Sequence, residues 1–457
     1  MEIKKFRLHN VGRFKNIEVP LAPTESNACN VTVFVGNNGA GKTSLLKSLA
    51  TSLSWFVSRV RSEKGSGSPI PEEVIHNSAL SAAIDIEVLD EKCQRNNPDA
   101  DIENHLFQWT LAKPRQGRKG EHVSQLVGAS ELADRYRQAL SNQENANLPL
   151  IAFYPVERVV LDIPLKIKDK HSFLQLDGYD NSLNTGVDFR RFFEWFRERE
   201  DSENETGISQ EMLEKLQNLL GNDNDVWQQL SALKASSRDR QLTAVRTAIT
   251  NFMPGFTNLK VRRKPRLHMS IDKNNETFNV LQLSQGEKSL MALVGDIARR
   301  LAMMNPALEN PLQGDGIVLI DEVDMHLHPK WQRSLIERLT STFPNCQFLL
   351  STHSPLVISD CKNVLIYALD DGDLTELSSQ YGQDANTVLL SVMDTHIRNS
   401  VIAERLNTLL DLIQENQLEK ATEEITKLEA DLPTNNLELT KAKMLFRKQE
   451  LKHAKNN

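Results

Sequence analysis

Features that define several common protein classes are scarce in this chain of 457 residues. It has four cysteines, at positions 29, 93, 346 and 361, without a Cys-x-x-Cys pair, so the sequence indicates neither a zinc site nor a disulfide framework. No run of eighteen apolar residues is present to cross a membrane. The N-terminus begins as a strand and lacks the apolar segment of a signal peptide. We therefore expect a cytoplasmic protein that makes no membrane contact and whose cysteines are buried thiols.

Positive charge is not in excess either. The chain has 54 Lys and Arg residues against 61 Asp and Glu residues, which gives a formal net charge of −7. This balance argues against a strongly basic nucleic-acid coat, although it leaves room for a local basic patch. The length predicts two or three domains, at about 100–200 residues each.

What the sequence does contain is a glycine-rich phosphate loop. Residues 36–43 read Gly-Asn-Asn-Gly-Ala-Gly-Lys-Thr, follow the apolar run 31–35 and precede a segment with helical periodicity. In such a loop the backbone N–H groups surround phosphate oxygens, and the helix N-terminus adds the positive end of its dipole. Lys42 is predicted to reach the β- and γ-phosphates, and the Thr43 hydroxyl to hold Mg²⁺. The residues expected to contact the nucleotide are Asn37, Asn38, Gly39, Ala40, Gly41, Lys42, Thr43 and Ser44.

A second part of the predicted site follows the apolar strand at residues 316–320. This strand ends in Asp321, predicted to hold the same Mg²⁺ as Thr43, and Glu322, predicted to polarise the attacking water. The strand at 348–352 leads in the same way to His353. His353 is expected to hydrogen-bond the γ-phosphate. The alternative is a structural histidine at a strand end whose hydrogen bonds are made within the chain.

The third part is the run Leu-Ser-Gln-Gly-Glu at residues 283–287, ahead of a predicted helix. The chain resembles the ABC-type ATPases, whose L-S-x-G-E signature this run matches. The resemblance implies that Ser284 and Gly286 contact the γ-phosphate of ATP bound to a second subunit, so that ATP closes a head-to-tail dimer with two composite sites. The 242 positions from Lys42 to Ser284 look more like the RecF/SMC branch, in which residues matching Arg13 and Phe14 lie near the nucleotide.

The implied fold class is α/β, an ABC-type P-loop ATPase head with a mixed central sheet and an antiparallel subdomain, an inserted helical subdomain and a helical C-terminal region. We expect the N-terminal lobe at 1–185, the inserted subdomain at 186–257, the C-terminal lobe with signature and His353 at 258–394, and a partner or oligomerisation region at 395–457. Two sets of apolar residues recur at helical spacing, which indicates that they belong to the hydrophobic core. They are four phenylalanines (Phe189, Phe192, Phe193 and Phe196) and Met212, Leu216, Leu219 and Leu220. The family's Q-loop glutamine is not found at 154–158.

Two charged stretches have open interpretations. Residues 260–266 contain five basic residues in seven positions. Such a run is usually a solvated face, and a phosphate-backbone contact is the alternative. Asp370, Asp371 and Asp373 are expected in a turn between two strands rather than in a metal site.

The layout and the tail from Gln380 onward resemble the PtuA family, the ATPases of Septu anti-phage systems. That resemblance implies an oligomeric ATPase that binds and controls a separate HNH nuclease, PtuB, in anti-phage defence. One alternative is a RecF-like repair ATPase that binds DNA in an ATP-dependent way. Another is a scaffold in which ATP has a structural role and turnover is negligible.

Overall fold

The computed structural model describes residues 1–90, 105–156, 173–184, 187–206, 238–395 and 398–456. These residues form two compact units, Met1–Asp384 and Ala385–Asn457. The predicted boundaries near 186, 258 and 395 remain predictions. Cys93, part of the 154–158 segment (Glu157 and Arg158), and the apolar residues Met212, Leu216, Leu219 and Leu220 lie outside the described residues.

The first unit is built on a mixed six-stranded sheet. Its parallel strands are β3 (Val31–Gly36), β6 (Leu150–Tyr154), β10 (Gly316–Ile320), β11 (Cys346–Thr352) and β12 (Leu365–Asp370), and β13 (Asp373–Leu377) runs antiparallel. The strand order is β13-β12-β3-β11-β10-β6. Every residue of β6, β10 and β11 is buried, as expected for continuous apolar runs covered on both faces. Residues 370 and 373 pair across a tight turn, as predicted.

Two antiparallel sheets complete the strands of this unit. One has the order β2-β1-β4-β5 and consists of β1 (Glu2–Val11), β2 (Phe14–Pro20), β4 (Ser81–Leu89) and β5 (Leu106–Pro114). The last two pair antiparallel, with Ile86 opposite Trp109. The other has the order β7-β8-β9 and consists of β7 (Phe256–Arg262), β8 (His268–Lys273) and β9 (Glu276–Asn279). The α/β class with a mixed sheet and an antiparallel subdomain is thus confirmed.

Helices cover both kinds of sheet. Those of the first unit are α1 (Lys42–Arg61), α2 (Val127–Asn142), α3 (Phe189–Thr206), α4 (Arg240–Phe252), α5 (Gln285–Met304), α6 (Pro329–Arg333), α7 (Leu335–Thr342) and α8 (Pro355–Ser359). Helix α1 contacts strands of the mixed and the four-stranded sheet, and the Trp109 indole N–H donates to the Ser52 hydroxyl at 2.9 Å. Helix α2 was not predicted from sequence. The four phenylalanines of α3 are fully buried, as expected of a core stripe.

The second unit is helical. It contains α9 (Ala385–Ser391), α10 (Ser400–Gln414), α11 (Leu418–Asp431) and α12 (Leu437–Asn456). Leu406, Leu409 and Ile413 of α10 are buried together with apolar residues of α11 and α12, and Pro433 falls between the last two helices. Across the described ranges of both units, no helix has the length and apolar character needed to span a bilayer.

A buried glutamine joins the mixed sheet to the four-stranded sheet. Gln347 of β11 is 1% exposed, and its side-chain oxygen accepts from the Ile3 N–H of β1 at 2.8 Å. Its amide group donates to the Ile3 and Ala22 carbonyls at 2.8 and 2.7 Å. These carbonyls and the N–H belong to fully buried residues, so the glutamine satisfies backbone groups that would otherwise be costly to bury.

We expect Gln347→Leu to lower the free energy of unfolding by about 3 kcal/mol or more, because three buried backbone groups each lose a partner at about 1–3 kcal/mol apiece. Urea denaturation measures this loss, from the unfolding transition of the first unit. Gln116→Leu, at an exposed loop position, is the matched control and should change stability by no more than about 0.5 kcal/mol. Equal stability of the two variants would contradict this role of Gln347.

Candidate functional site

Three predicted site segments follow three adjacent parallel strands. The glycine loop follows β3, His353 follows β11, and Asp321 and Glu322 follow β10. In the register, Val35 pairs with Thr352 and Ile320 with Leu350, so the carboxyl ends of these strands lie at one edge. The structure therefore brings the predicted loop, carboxylates and histidine together.

The glycine loop has a shape that larger residues cannot adopt. Gly36, Gly39 and Gly41 have φ values of +153°, +80° and +109°, in the region that favours glycine. A Cβ on Gly36 would lie 2.3 Å from the Leu369 carbonyl oxygen, and one on Gly41 would lie 2.6 Å from the Phe14 ring. Asn37, Asn38, Gly39 and Ala40 form the loop, and Lys42, Thr43 and Ser44 form the first turn of α1.

The Lys42 ammonium lies inside this loop. It donates to the Gly36 and Asn37 carbonyls at 2.8 and 3.2 Å, and the residue is only 6% exposed. Burial lowers the pKa of Lys42, while the charges of Glu322, Asp321 and Asp324 oppose that shift. A buried cation at the open N-terminus of a helix fits a polyphosphate group, since the loop and helix present N–H groups to the same place.

The turn between β1 and β2 covers the glycine loop. The Arg13 guanidinium lies 3.5 Å from the position that a Cβ on Gly39 would take, and its Nη1 forms an ion pair with Asp371 Oδ1 at 2.7 Å. Asp371 lies in the turn between β12 and β13. The structure thus places Arg13 and Phe14 beside the glycine loop, and their contact with a nucleotide stays a prediction.

A serine organises the two carboxylates. The Ser351 hydroxyl donates to Asp321 Oδ1 at 2.5 Å and accepts from the Glu322 N–H at 2.8 Å. Asp321 is fully buried, and its own N–H donates to the Tyr154 carbonyl at 2.9 Å. Glu322 has a φ of +44°, which is unfavourable for a residue with a side chain, so its position depends on such support. Sequence reasoning missed Ser351; the available signal was a hydroxyl residue near the end of a buried apolar strand.

The next residues of β11 connect to the loop after Glu322. The Thr352 hydroxyl donates to Asp324 Oδ1, and the His353 N–H donates to the same oxygen at 3.4 Å. The His353 ring nitrogen lies 4.0 Å from Glu322 Oε1. Burial lowers the pKa of His353, Lys42 adds to that effect, and Glu322 opposes it. The lowered pKa favours the neutral imidazole, which has one donor and one acceptor nitrogen.

The signature forms the start of α5. The Ser284 hydroxyl accepts from the Glu287 N–H at 3.3 Å, and the Glu287 carboxylate accepts from the Ser284 N–H at 3.0 Å, which is a capping box. Lys273 of β8 donates to the same carboxylate at 2.8 Å. Burial alone would raise the pKa of Glu287, but the hydrogen bonds from Lys273 and Ser284 bring it below its usual value.

Gly286 allows the signature to approach the loop that continues from Glu322. A Cβ on Gly286 would lie 2.3 Å from the His326 carbonyl oxygen, so glycine is required for this contact. Within the chain, the signature thus packs against the loop that follows Glu322, the predicted polarising carboxylate. Its contact with the γ-phosphate of a second subunit stays a prediction.

A buried ionic cluster joins α5 to the same edge of the sheet. The Tyr154 hydroxyl donates to Asp296 Oδ2 at 3.0 Å, and Arg299 and Arg300 donate to the Asp296 carboxylate, each at 2.7 Å. Burial would raise the pKa of Asp296, but the charges of Arg300 and Arg299 lower it. Since the Tyr154 carbonyl accepts from Asp321, the signature helix is connected to the predicted metal ligand through one residue.

Comparison with known proteins finds similarity along most of the chain. The family profile "AAA domain, putative AbiEii toxin, Type IV TA system" matches residues 142–359, which include the signature and Asp321 but not the glycine loop. The "Retron Vc95 probable ATPase" of Vibrio cholerae serotype O1 biovar El Tor is 32% identical over 434 residues, covering 89% of this chain and 82% of that protein. The "Retron Ec83 probable ATPase" of Escherichia coli is 35% identical over 378 residues, covering 75% and 67%. The "Septu protein PtuA" of Bacillus mycoides (strain KBAB4) is 32% identical over 168 residues, covering 35% and 23%.

We expect Ser351→Ala to reduce nucleotide turnover about 10–100-fold, as is typical when a residue that orients a metal ligand is removed. Affinity for the nucleotide should change much less, because the Lys42 loop is intact. The Mg²⁺ concentration needed for half-maximal turnover should rise. Steady-state hydrolysis over a magnesium series measures both effects.

Ser341→Ala is the matched control for this variant, since Ser341 is an exposed residue of α7. It should behave as wild type. A Ser351→Ala protein with normal turnover and normal magnesium dependence would show that the hydroxyl does not position Asp321 or Glu322.

Proposed function

The chain belongs to the family of the retron Vc95 and Ec83 ATPases, and on this basis we propose that it hydrolyses ATP at the edge of the mixed sheet and thereby regulates a partner nuclease in anti-phage defence. The observation that carries the proposal is the position of the buried Lys42 ammonium, which lies in the glycine loop close to the Asp321 and Glu322 carboxylates. Similarity to the Septu protein PtuA supports the defence role.

Residues of the site divide into binding and hydrolytic groups. The loop from Asn37 to Ser44 binds the phosphates, and Lys42 exchanges its bonds to the loop carbonyls for bonds to the terminal phosphates. Arg13 lies beside Gly39 of the loop and adds a second cation. Glu322 orients the attacking water and accepts its proton, and neutral His353 hydrogen-bonds the γ-phosphate.

The donor set fits Mg²⁺. The Thr43 hydroxyl and the Asp321 carboxylate are oxygen ligands of the kind this ion prefers, and it takes only one or two protein ligands in phosphate sites. Bound there, Mg²⁺ would supply neutralisation of the charge that develops on the phosphates. The hydrogen bond from Ser351 fixes one Asp321 oxygen, so the direction of the carboxylate is set by the protein.

The proposal includes a head-to-tail dimer. One nucleotide needs one cradle, and the glycine loop already provides it. The N-terminus of α5, with Ser284 and Gly286, is a second anion-binding terminus, and it is assigned to the γ-phosphate held by a second copy. The contact between Gly286 and the loop at His326 supports coupling between dimer closure and hydrolysis, because closure would press on the loop that begins at Glu322.

The proposed partner is an HNH nuclease of the PtuB type, by resemblance to Septu systems. The helical unit 385–457 is the proposed place for partner binding or oligomerisation. Helix α12 exposes Leu437, Met444 and Leu451, at 65%, 68% and 61%, one heptad apart. Apolar side chains this exposed on one helix face support a role in association.

We expect Lys42→Ala to abolish nucleotide binding, and Glu322→Gln to bind ATP normally but turn it over at least about 100-fold more slowly. With ATP, Glu322→Gln should therefore accumulate as a dimer. Fluorescent-nucleotide binding, phosphate release and light scattering measure the three properties. Lys47→Ala, at an exposed position of α1, is the matched control. Wild-type hydrolysis by Glu322→Gln would disprove the assignment of the polarising carboxylate.

Adding Ser284→Arg to Glu322→Gln tests the second-subunit contact separately. The bulky side chain should block dimer formation while each monomer still binds ATP at its own glycine loop. A double variant that still dimerises on ATP would remove the head-to-tail arrangement from the proposal and leave the ATPase site in place.

Affinity purification of the tagged chain from its native host tests the partner. We expect an HNH nuclease in the eluate, identified by mass spectrometry, with nuclease activity that changes on addition of ATP. The Lys42→Ala chain should yield a complex that no longer responds to ATP. Recovery of the ATPase alone, with ATP-dependent affinity for DNA, would instead favour the repair role.

A further inference from the structure

The end of β7 and the turn that joins it to β8 carry a dense run of positive charge. We call residues 260–266 the basic hairpin; its cations are Lys260, Arg262, Arg263, Lys264 and Arg266. The last four of these are exposed. The chain as a whole has a net charge of −7, so the positive charge of this segment is local and does not reflect a basic surface overall.

Few acidic side chains neutralise the basic hairpin. Arg263 forms an ion pair with Asp201 of α3. Hydrogen bonds from Thr277 and Asn258, and the nearby charges of Lys260 and Arg262, lower the pKa of Asp272, which is the second acidic neighbour. Over the described ranges, Lys264 and Arg266 have no carboxylate within the 4.0 Å limit of an ion pair. Glu200 is a third acidic neighbour, close enough to interact with Arg263, but its ion pair is with Arg246. In the described ranges Arg263 is thus the one cation of the hairpin with an ion-pair partner, which leaves the segment with an excess of positive charge.

The support beneath the hairpin is rigid. Leu259 and Val261 alternate with the outward cations of β7 and are 2% and 4% exposed, and Met269 and Ile271 of β8 are fully buried. The Val261 N–H donates to the Glu200 carboxylate at 2.9 Å. Lys260 and Arg262 therefore project from a strand with a buried inner face, and Arg263, Lys264 and Arg266 lie in the short turn that joins this strand to β8. Anchoring of the turn at both ends reduces the ordering cost of a bound polyanion.

Composition of the hairpin identifies the class of ligand. Protein interfaces are anchored by buried aromatic and large apolar side chains. None of the exposed large apolar side chains in the described ranges lies on the basic hairpin, and its tip presents only Lys, Arg and proline. Lys and Arg are the main side chains that neutralise nucleic-acid phosphates, and contacts to phosphates carry no sequence information directly. We propose that the basic hairpin is a nucleic-acid binding site that contacts the phosphate backbone without sequence preference.

The hairpin is also connected to the signature. Strand β8 ends at Lys273, whose ammonium holds the Glu287 carboxylate of the Ser284 capping box at 2.8 Å. Strand β9 then leads through a short turn into Ser284. Nucleic acid on the hairpin therefore alters ATP turnover through the signature. This coupling rests on the proposed function, whereas binding itself does not.

The test uses the full chain and a charge-reversal variant, Lys264→Glu with Arg266→Glu. Binding of fluorescent single-stranded and duplex DNA of mixed sequence is followed by anisotropy over a range of salt concentrations, without nucleotide. The variant should bind at least about 10-fold more weakly at low salt. Its slope of log affinity against log salt should fall by about 1 for each lost phosphate contact. The matched control is Arg118→Glu with Lys119→Glu, which lies on another exposed loop and changes the net charge by the same amount.

Three results would overturn the proposal. The first is equal loss of affinity in the hairpin variant and the Arg118 and Lys119 control, because the effect would then belong to net charge. The second is no measurable DNA binding by wild type. The third is displacement of DNA by polyglutamate as effectively as by unlabelled DNA, because the site would then prefer any acidic chain.

ATP hydrolysis separates the coupling from the binding. Without DNA, the hairpin variant should hydrolyse ATP at the wild-type rate. DNA should change the wild-type rate and leave the rate of the variant unchanged. DNA binding that depends on the hairpin in a protein without ATP turnover would count against the proposed function and leave the nucleic-acid site standing.

Discussion

Parallel pairing of β3, β11 and β10 is the constraint on which the site depends. The three strands are neighbours and end at one edge, so whatever follows each strand meets there. Their runs of buried apolar residues are needed for the core of the sheet in any case. The geometry of the candidate site thus follows from packing, and its polar contacts come from the last positions of the strands, among them Ser351. One hydroxyl there holds both a carboxylate and the backbone of a strained residue.

Helix α5 contacts this edge of the sheet at two points, one at its start and one near its middle. Gly286 contacts the His326 carbonyl, and Asp296 binds the hydroxyl of Tyr154, whose carbonyl accepts from Asp321. The cluster around Asp296 is fully buried, and two arginines offset the cost of burying one carboxylate. A group of this kind has few alternative arrangements, since moving it would leave charges unpaired. A displacement of α5 would therefore reach the loop after β10 by two routes, the Gly286 contact and Tyr154.

The sequence predicts the parts of this protein that follow from local pattern. Glycine spacing gave the phosphate loop, apolar runs gave the parallel strands, and helical spacing gave the phenylalanine stripe. Helix α2 escaped prediction because its buried residues (Leu132, Ala133 and Tyr136) fall between polar stretches that indicate a loop. Gln347, Ser351 and Asp296 also escaped, because each matters through partners more than a hundred residues away or through a strand pairing that has no local signal.

The two cations nearest the glycine loop have partners inside the chain, and this shapes how a nucleotide binds. Lys42 donates to two carbonyls of its own loop, so exchange for phosphate keeps the ammonium in place and costs little reorganisation. Arg13 instead pairs with Asp371 of another turn, and both side chains are more than half exposed. An ion pair this exposed is weak, at about 0–1 kcal/mol. In the proposed site, Arg13 could therefore leave Asp371 for a phosphate at small cost, whereas the Lys42 ammonium would stay in place.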